Sequence, residues 1–177
     1  MEIHSAEIID FAIDVVFPLV RDNLNELIPY MQNVKLIETE SREAAGEGRI
    51  RLVNRWHAKG EVPKVVQTIV KPEMLTWLDT AIWDDGQKTC QWEITPMFFK
   101  GNVSCSGTNY YKPQGKDRTK LEITGDLTIQ VKGIPGVPRL LEKKIASQIE
   151  KFIVKLLTPN LTSLARGISQ YLTEKRG

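Results

Sequence analysis

Three polar side chains stand where the alternation around them calls for apolar ones. Asn54 shares a parity with Ile50, Leu52 and Trp56, and Cys90 and Tyr110 hold similar places in later alternating runs. A polar group buried on such a face needs a hydrogen-bond partner or a ligand. These three are therefore the first candidates for touching a bound molecule. Trp56, Trp92, Ile94, Leu121, Ile123, Leu127, Phe152, Leu156 and Leu164 are candidates for an apolar cavity lining around them. Plain core packing is the competing reading of each.

The residues of common catalytic machinery are sparse. The histidines are His4 and His57, and His57 falls on the outward parity of its run. No nucleophile motif, phosphate loop or metal-ligand spacing is present. Cys90 and Cys105 have neither CxxC nor Cys/His spacing and read as reduced, structural thiols. The sequence thus assigns no catalytic residue, no metal and no cofactor. An enzyme working through scattered cavity groups would use Asn54, Tyr110 and Glu93, although Glu93 has outward parity.

A net charge of +2, from 24 basic and 22 acidic residues, is too small to draw the chain onto nucleic acid. The N-terminus lacks the pattern of a signal peptide, and no apolar run approaches the ~20 residues of a spanning helix. A cytoplasmic location, with contact to membranes at most peripheral, is expected. At 177 residues the chain fits one domain, taken here as residues 1–177.

The elements that must position these residues change character at Gly133-Ile134-Pro135-Gly136-Val137-Pro138. Before it the period is two, and after it the period is helical. Strands are expected over residues 2–10, 33–40, 49–58, 75–83, 87–96, 102–112 and 119–131, as an antiparallel meander. Asp84-Asp85-Gly86 predicts a hairpin, with Gly86 supplying the positive φ. Two short helices are expected over 14–22 and 23–31. From Arg139 onward, Leu141, Ile145, Ile149, Phe152, Leu156, Leu164 and Ile168 form an apolar stripe, widened by Ile153, Leu157 and Leu161. Pro159 should kink or divide that helix.

This order of elements resembles the START/Bet v 1 helix-grip (SRPBCC) superfamily over nearly the whole chain. Residues Ile9 to Asp22, followed by Leu27-Ile28-Pro29-Tyr30-Met31, carry the resemblance most specifically. Trp56, the run Val62 to Val70 and the strand from Leu75 to Trp83 are similar to its bacterial START-like and PRELI-like branch, in which a short helix lies between two strands. The β-branched run 62–70 would equally suit a strand. The resemblance implies an α+β fold, with a curved seven-stranded antiparallel sheet around a long C-terminal helix. It also implies an apolar cavity that holds a lipid or another hydrophobic small molecule.

Strand counting brings three connections, 59–72, 97–101 and 132–138, to one end of the sheet. Each combines apolar residues (Val65 and Ile69; Phe98 and Phe99; Ile134 and Val137) with lysines such as Lys64, Lys100 and Lys132. Apolar tips in a basic collar suit an anionic membrane surface, so this end is read as the cavity mouth. Binding or intermembrane transfer of a hydrophobic molecule is the function that follows. The alternatives are a polyketide cyclase/aromatase-like enzyme in the same cavity, or a protein-interaction module using the outward ladder Arg49, Arg51, Arg55 and His57.

Overall fold

The computed structural model describes residues 1–60, 62, 64, 67, 71, 75–97, 101–130 and 139–176. Seven strands, β1 (Glu2–Ile9), β2 (Val34–Ala44), β3 (Arg49–Ala58), β4 (Thr76–Asp84), β5 (Thr89–Pro96), β6 (Val103–Pro113) and β7 (Thr119–Ile129), form a single sheet. Its order is β1-β7-β6-β5-β4-β3-β2, and every neighbouring pair is antiparallel. Helix α1 (Ile13–Asp22) and a 3-10 helix (Leu24–Tyr30) connect β1 to β2, while α2 (Arg139–Thr162) and α3 (Leu164–Arg176) follow the sheet.

The period-two pattern sets which face is buried. In β7, Thr119, Leu121, Ile123 and Leu127 point inward, while Thr124, Asp126 and Thr128 are exposed. Helix α1 plugs one part of the inner face with Phe17, which is fully buried. Its ring packs edge-on against Trp83 at 5.3 Å and Tyr111 at 5.2 Å. Helix α2 packs on β1 and β7, and α3 packs on β1 and the 3-10 helix.

Several sequence expectations are corrected here. The second of the two short helices is a 3-10 helix, and Pro29 lies inside it. The β4–β5 hairpin forms as expected, but the positive φ belongs to Lys88 (+54°) and not to Gly86. Asp84 organises that turn, its Oδ1 accepting the Gln87 backbone N–H at 2.8 Å. The C-terminal helix is divided as expected, but at Ser163, four residues beyond Pro159, which lies inside α2. Pro159 has no N–H to give Lys155, whose carbonyl instead faces Asn33 Nδ2 at 3.5 Å. At Ser163 the backbone N–H and the hydroxyl both donate to the Pro159 carbonyl. Leu141, read as part of the buried stripe, is 48% exposed. The short helix expected over 62–70 lies outside the described residues.

The register brings the strand ends that bound three connections to one end of the sheet. These ends are Ala58 and Thr76, Pro96 and Val103, and Ile129; His57 pairs with Thr76, Trp77 with Pro96 and Val103 with Ile129.

Candidate functional site

Between the inner face of β3 to β6 and the helices lies a cavity. Its volume is about 80 Å³. Strand parity builds its floor. Leu52, Asn54 and Trp56 come from β3; Trp77, Asp79, Ala81 and Trp83 from β4; Cys90, Trp92 and Ile94 from β5; and Asn109 from β6. The roof is Val20 of α1, Leu24 and Met31 at the ends of the 3-10 helix, Leu157, Asn160 and Leu161 of α2, and Leu164 of α3. All four tryptophans of the chain line this one space.

Two of them stack, Trp56 on Trp77, with ring centroids 5.7 Å apart and planes 21° from parallel. Trp92 is fixed differently. Its indole N–H donates to Asn109 Oδ1 at 2.8 Å, a fully buried bond. Its ring covers Gly107 and Gly125, which oppose each other across β6 and β7. The glycine that interrupts β7 therefore makes room for an indole.

Asp79 is the group that sequence reasoning missed. It is half-buried and sits in the cavity lining on the inward parity of β4. Burial raises its pKa from 3.8 to about 7, and the Trp56 indole N–H acts in the opposite direction. That N–H closes no hydrogen bond of good geometry. No lysine, arginine or histidine lines the cavity among the described residues. Asn160 Oδ1 is likewise buried without a hydrogen-bond partner, whereas Asn54 Oδ1 accepts from the Thr39 hydroxyl at 2.9 Å. The nearby thiols are inert near neutrality: burial, reinforced by Asp79, pushes Cys90 well above 9.0 and Cys105 up to about 12.

The structure brings together Asn54, Trp56, Trp92, Ile94 and Cys90 from the expected lining, and Leu164 from the helix. It separates the others. Leu121, Ile123 and Leu127 are buried in the core on β7 outside the lining. Phe152 and Leu156 face a second recess with Asn33, Gly60 and Gln148, while Leu157 and Leu161 occupy the cavity in their place. Tyr110 points outward and is 37% exposed, with Lys112 over its ring. Its neighbours Asn109 and Tyr111 face inward, because β6 pairs so that Cys105, Gly107, Asn109 and Tyr111 share the inner parity. Glu93 is exposed, as its parity implied.

The mouth residues Val65, Ile69, Phe98, Phe99, Lys100, Ile134 and Val137 lie outside the described residues. Next to the last of these connections, Leu140 is 94% exposed at the start of α2. The outward basic ladder is largely neutralised: Arg49 pairs with Asp84, Arg55 with Glu40 and His57 with Glu38. Among the described residues no cluster of His, Cys, Asp or Glu could hold a metal ion, and no helix is long and apolar enough to cross a membrane.

No protein-family model and no curated protein matches the sequence. Solved structures do resemble the fold. TTHA0849 from Thermus thermophilus is 22% identical with a TM-score of 0.67, over 100% of both chains. The Zhui aromatase/cyclase from a Streptomyces species is 16% identical with a TM-score of 0.63, over 99% of this chain and 94% of that one. Norcoclaurine synthase from Thalictrum flavum is 16% identical with a TM-score of 0.56, over 98% and 87%. At such identities the likeness is one of fold alone: these structures share with this chain the α+β helix grip, an antiparallel sheet packed against C-terminal helices.

Proposed function

We propose that this protein binds a hydrophobic small molecule in the cavity between its sheet and its helices, as a cytoplasmic carrier that meets membranes peripherally. The carrying observation is the cavity itself, where four tryptophans surround polar groups left without partners. Plain core packing would leave neither the space nor the orphaned groups, since interiors are filled and buried polar atoms are paired. Native mass spectrometry of freshly purified protein, with organic extraction, is expected to show a discrete apolar adduct. A bare chain mass in every preparation would overturn resident carriage.

Loading at a membrane is supported by the start of α2. Leu140 and Leu141 are exposed beside Lys143 and Lys144, an apolar tip with basic neighbours. Replacing both leucines by serine is expected to cut flotation with anionic vesicles at least roughly threefold while the melting temperature holds, since each buried leucine contributes about 1.5–3 kcal/mol at an interface. Flotation unchanged by the double substitution rules this tip out.

A cyclase-like enzyme would use the same space, and Asp79 is the observation on its side, being a carboxyl that exchanges its proton near neutrality. Two of the similar folds belong to proteins named as enzymes, an aromatase/cyclase and a synthase. Product formation that disappears in Asp79→Asn while binding persists would favour this reading over carriage.

A further inference from the structure

We propose that the occupant of the cavity is an aromatic or similarly planar amine, bound with its cationic nitrogen against Asp79 and its apolar body among the tryptophans. This rests on the cavity-binding reading and adds the chemical class of the ligand.

The argument begins with charge. Asp79 is the one carboxylate of the lining, and no cationic side chain lines the cavity with it among the described residues. Its facing donor is the Trp56 indole N–H, which closes no hydrogen bond of good geometry. A carboxyl so placed either keeps a proton or awaits a positive partner. The hydrogen-bond inventory points the same way. The Asp79 carboxylate and Asn160 Oδ1 are acceptors short of donors, and an ammonium group carries only donors. A neutral alcohol could donate to the same acceptors, but it would leave the charge of an ionised Asp79 unmatched.

The tryptophans complete the match. Indole rings attract a cation through their electron-rich faces, and this attraction grows where water is excluded. The four share one cavity lining with that carboxylate, an electron-rich apolar wall suited to a hydrophobic cation.

Proton linkage gives the pairing a signature. The titratable groups facing Asp79 are Cys90 on β5 and Cys105 on β6, both neutral throughout the neutral range, and the lining contributed by α1, the 3-10 helix, α2 and α3 is free of titratable groups. Below pH 7 the Asp79 proton must leave before an ammonium can pair, so amine affinity should fall as pH drops and binding should release a proton to the buffer.

Isothermal titration of the full chain with 2-phenylethylamine and with 2-phenylethanol, at pH 6 and pH 8, tests the proposal. The amine is expected to bind roughly tenfold or more tightly than the alcohol at pH 8. Heats at pH 6 should vary with buffer ionisation enthalpy, and the preference should vanish in Asp79→Asn. An alcohol that binds as tightly as the amine, or a preference that survives Asp79→Asn, overturns the amine assignment and leaves the cavity reading standing. Absence of saturable binding by both probes at millimolar concentration overturns the two together.

Discussion

Asp79→Asn is expected to stabilise the ligand-free protein by about 2–4 kcal/mol at pH 8.5 and to leave it nearly unchanged at pH 4. The sign follows from where the proton sits. The folded-state pKa is raised from 3.8 to about 7, so the native protein holds a proton between those values that the unfolded chain has lost. Stability is then full below about pH 4, declines through the interval and is lowest above pH 7. A carboxylate held near 7 in place of 3.8 costs on the order of 4 kcal/mol once ionised, and asparagine has nearly its shape without its charge. Urea unfolding at the two pH values reads the difference. A gap between wild type and Asp79→Asn that is the same at pH 4 and pH 8.5 would show that the carboxyl is solvated and would remove the basis for an uncompensated charge in the cavity. A residue kept at such a cost to stability is where function is expected, because sites for binding and catalysis are places where stability is sacrificed.

Why that aspartate escapes a reading of the sequence is instructive. The parity of β4 that faces inward carries Trp77, Asp79, Ala81 and Trp83, and the other parity carries Thr76, Leu78, Thr80 and Ile82. Both have large apolar residues, so alternation cannot choose between them, and a lone carboxylate argues for whichever side meets water. In β3 the same test succeeds, since Arg49, Arg51 and Arg55 mark one side and leave Asn54 conspicuous on the other. Tyr110 and Tyr111 defeat it again: two adjacent tyrosines are equivalent to a pattern, and only pairing with β5 and β7 turns Tyr111 in.

The helical half of the site was legible to a different degree. The stripe from Leu141 to Ile168 announces a helix lying on a sheet, and the buried residues Ile149, Ile153, Leu157 and Ile168 bear it out, while Leu141 is exposed. A stripe that wide spans more than one neighbour, however. Its Phe152–Leu156 flank meets the second recess and its Leu157–Leu161 flank meets the cavity, a division set by how α2 rests on β1 and β7. That orientation is a tertiary property, absent from the spacing of the residues themselves.

Gly107→Ala is expected to lose at least about 3 kcal/mol, or roughly 6–12 °C in melting temperature for a chain of this size. Gly107 and Gly125 face each other in register, and Trp92 pairs with Gly107 from the other side. A methyl at Gly107 would stand 2.2 Å from the Thr124 carbonyl oxygen, 2.5 Å from the Trp92 ring and 2.8 Å from the Gly125 Cα. The indole could move at the expense of its bond to Asn109, but the two backbone atoms can give way only if β6 and β7 part. Combining Gly107→Ala with Trp92→Leu should therefore fail to restore stability. Gly86→Ala serves as the control, since its methyl would meet nothing closer than Asp84 Oδ1 at 3.5 Å and its φ is not left-handed, so a change within about 0.5 kcal/mol is expected. Thermal unfolding of the three variants decides the matter. Recovery in the double variant would mean that the indole alone sets the limit, and an unaltered melting temperature in Gly107→Ala would mean that the strands do not approach so closely. Full loss with no recovery would establish that the floor of the cavity is built on this glycine pair, which seats the one tryptophan held by a buried hydrogen bond and so gives the site a rigid wall against which a ligand can be selected.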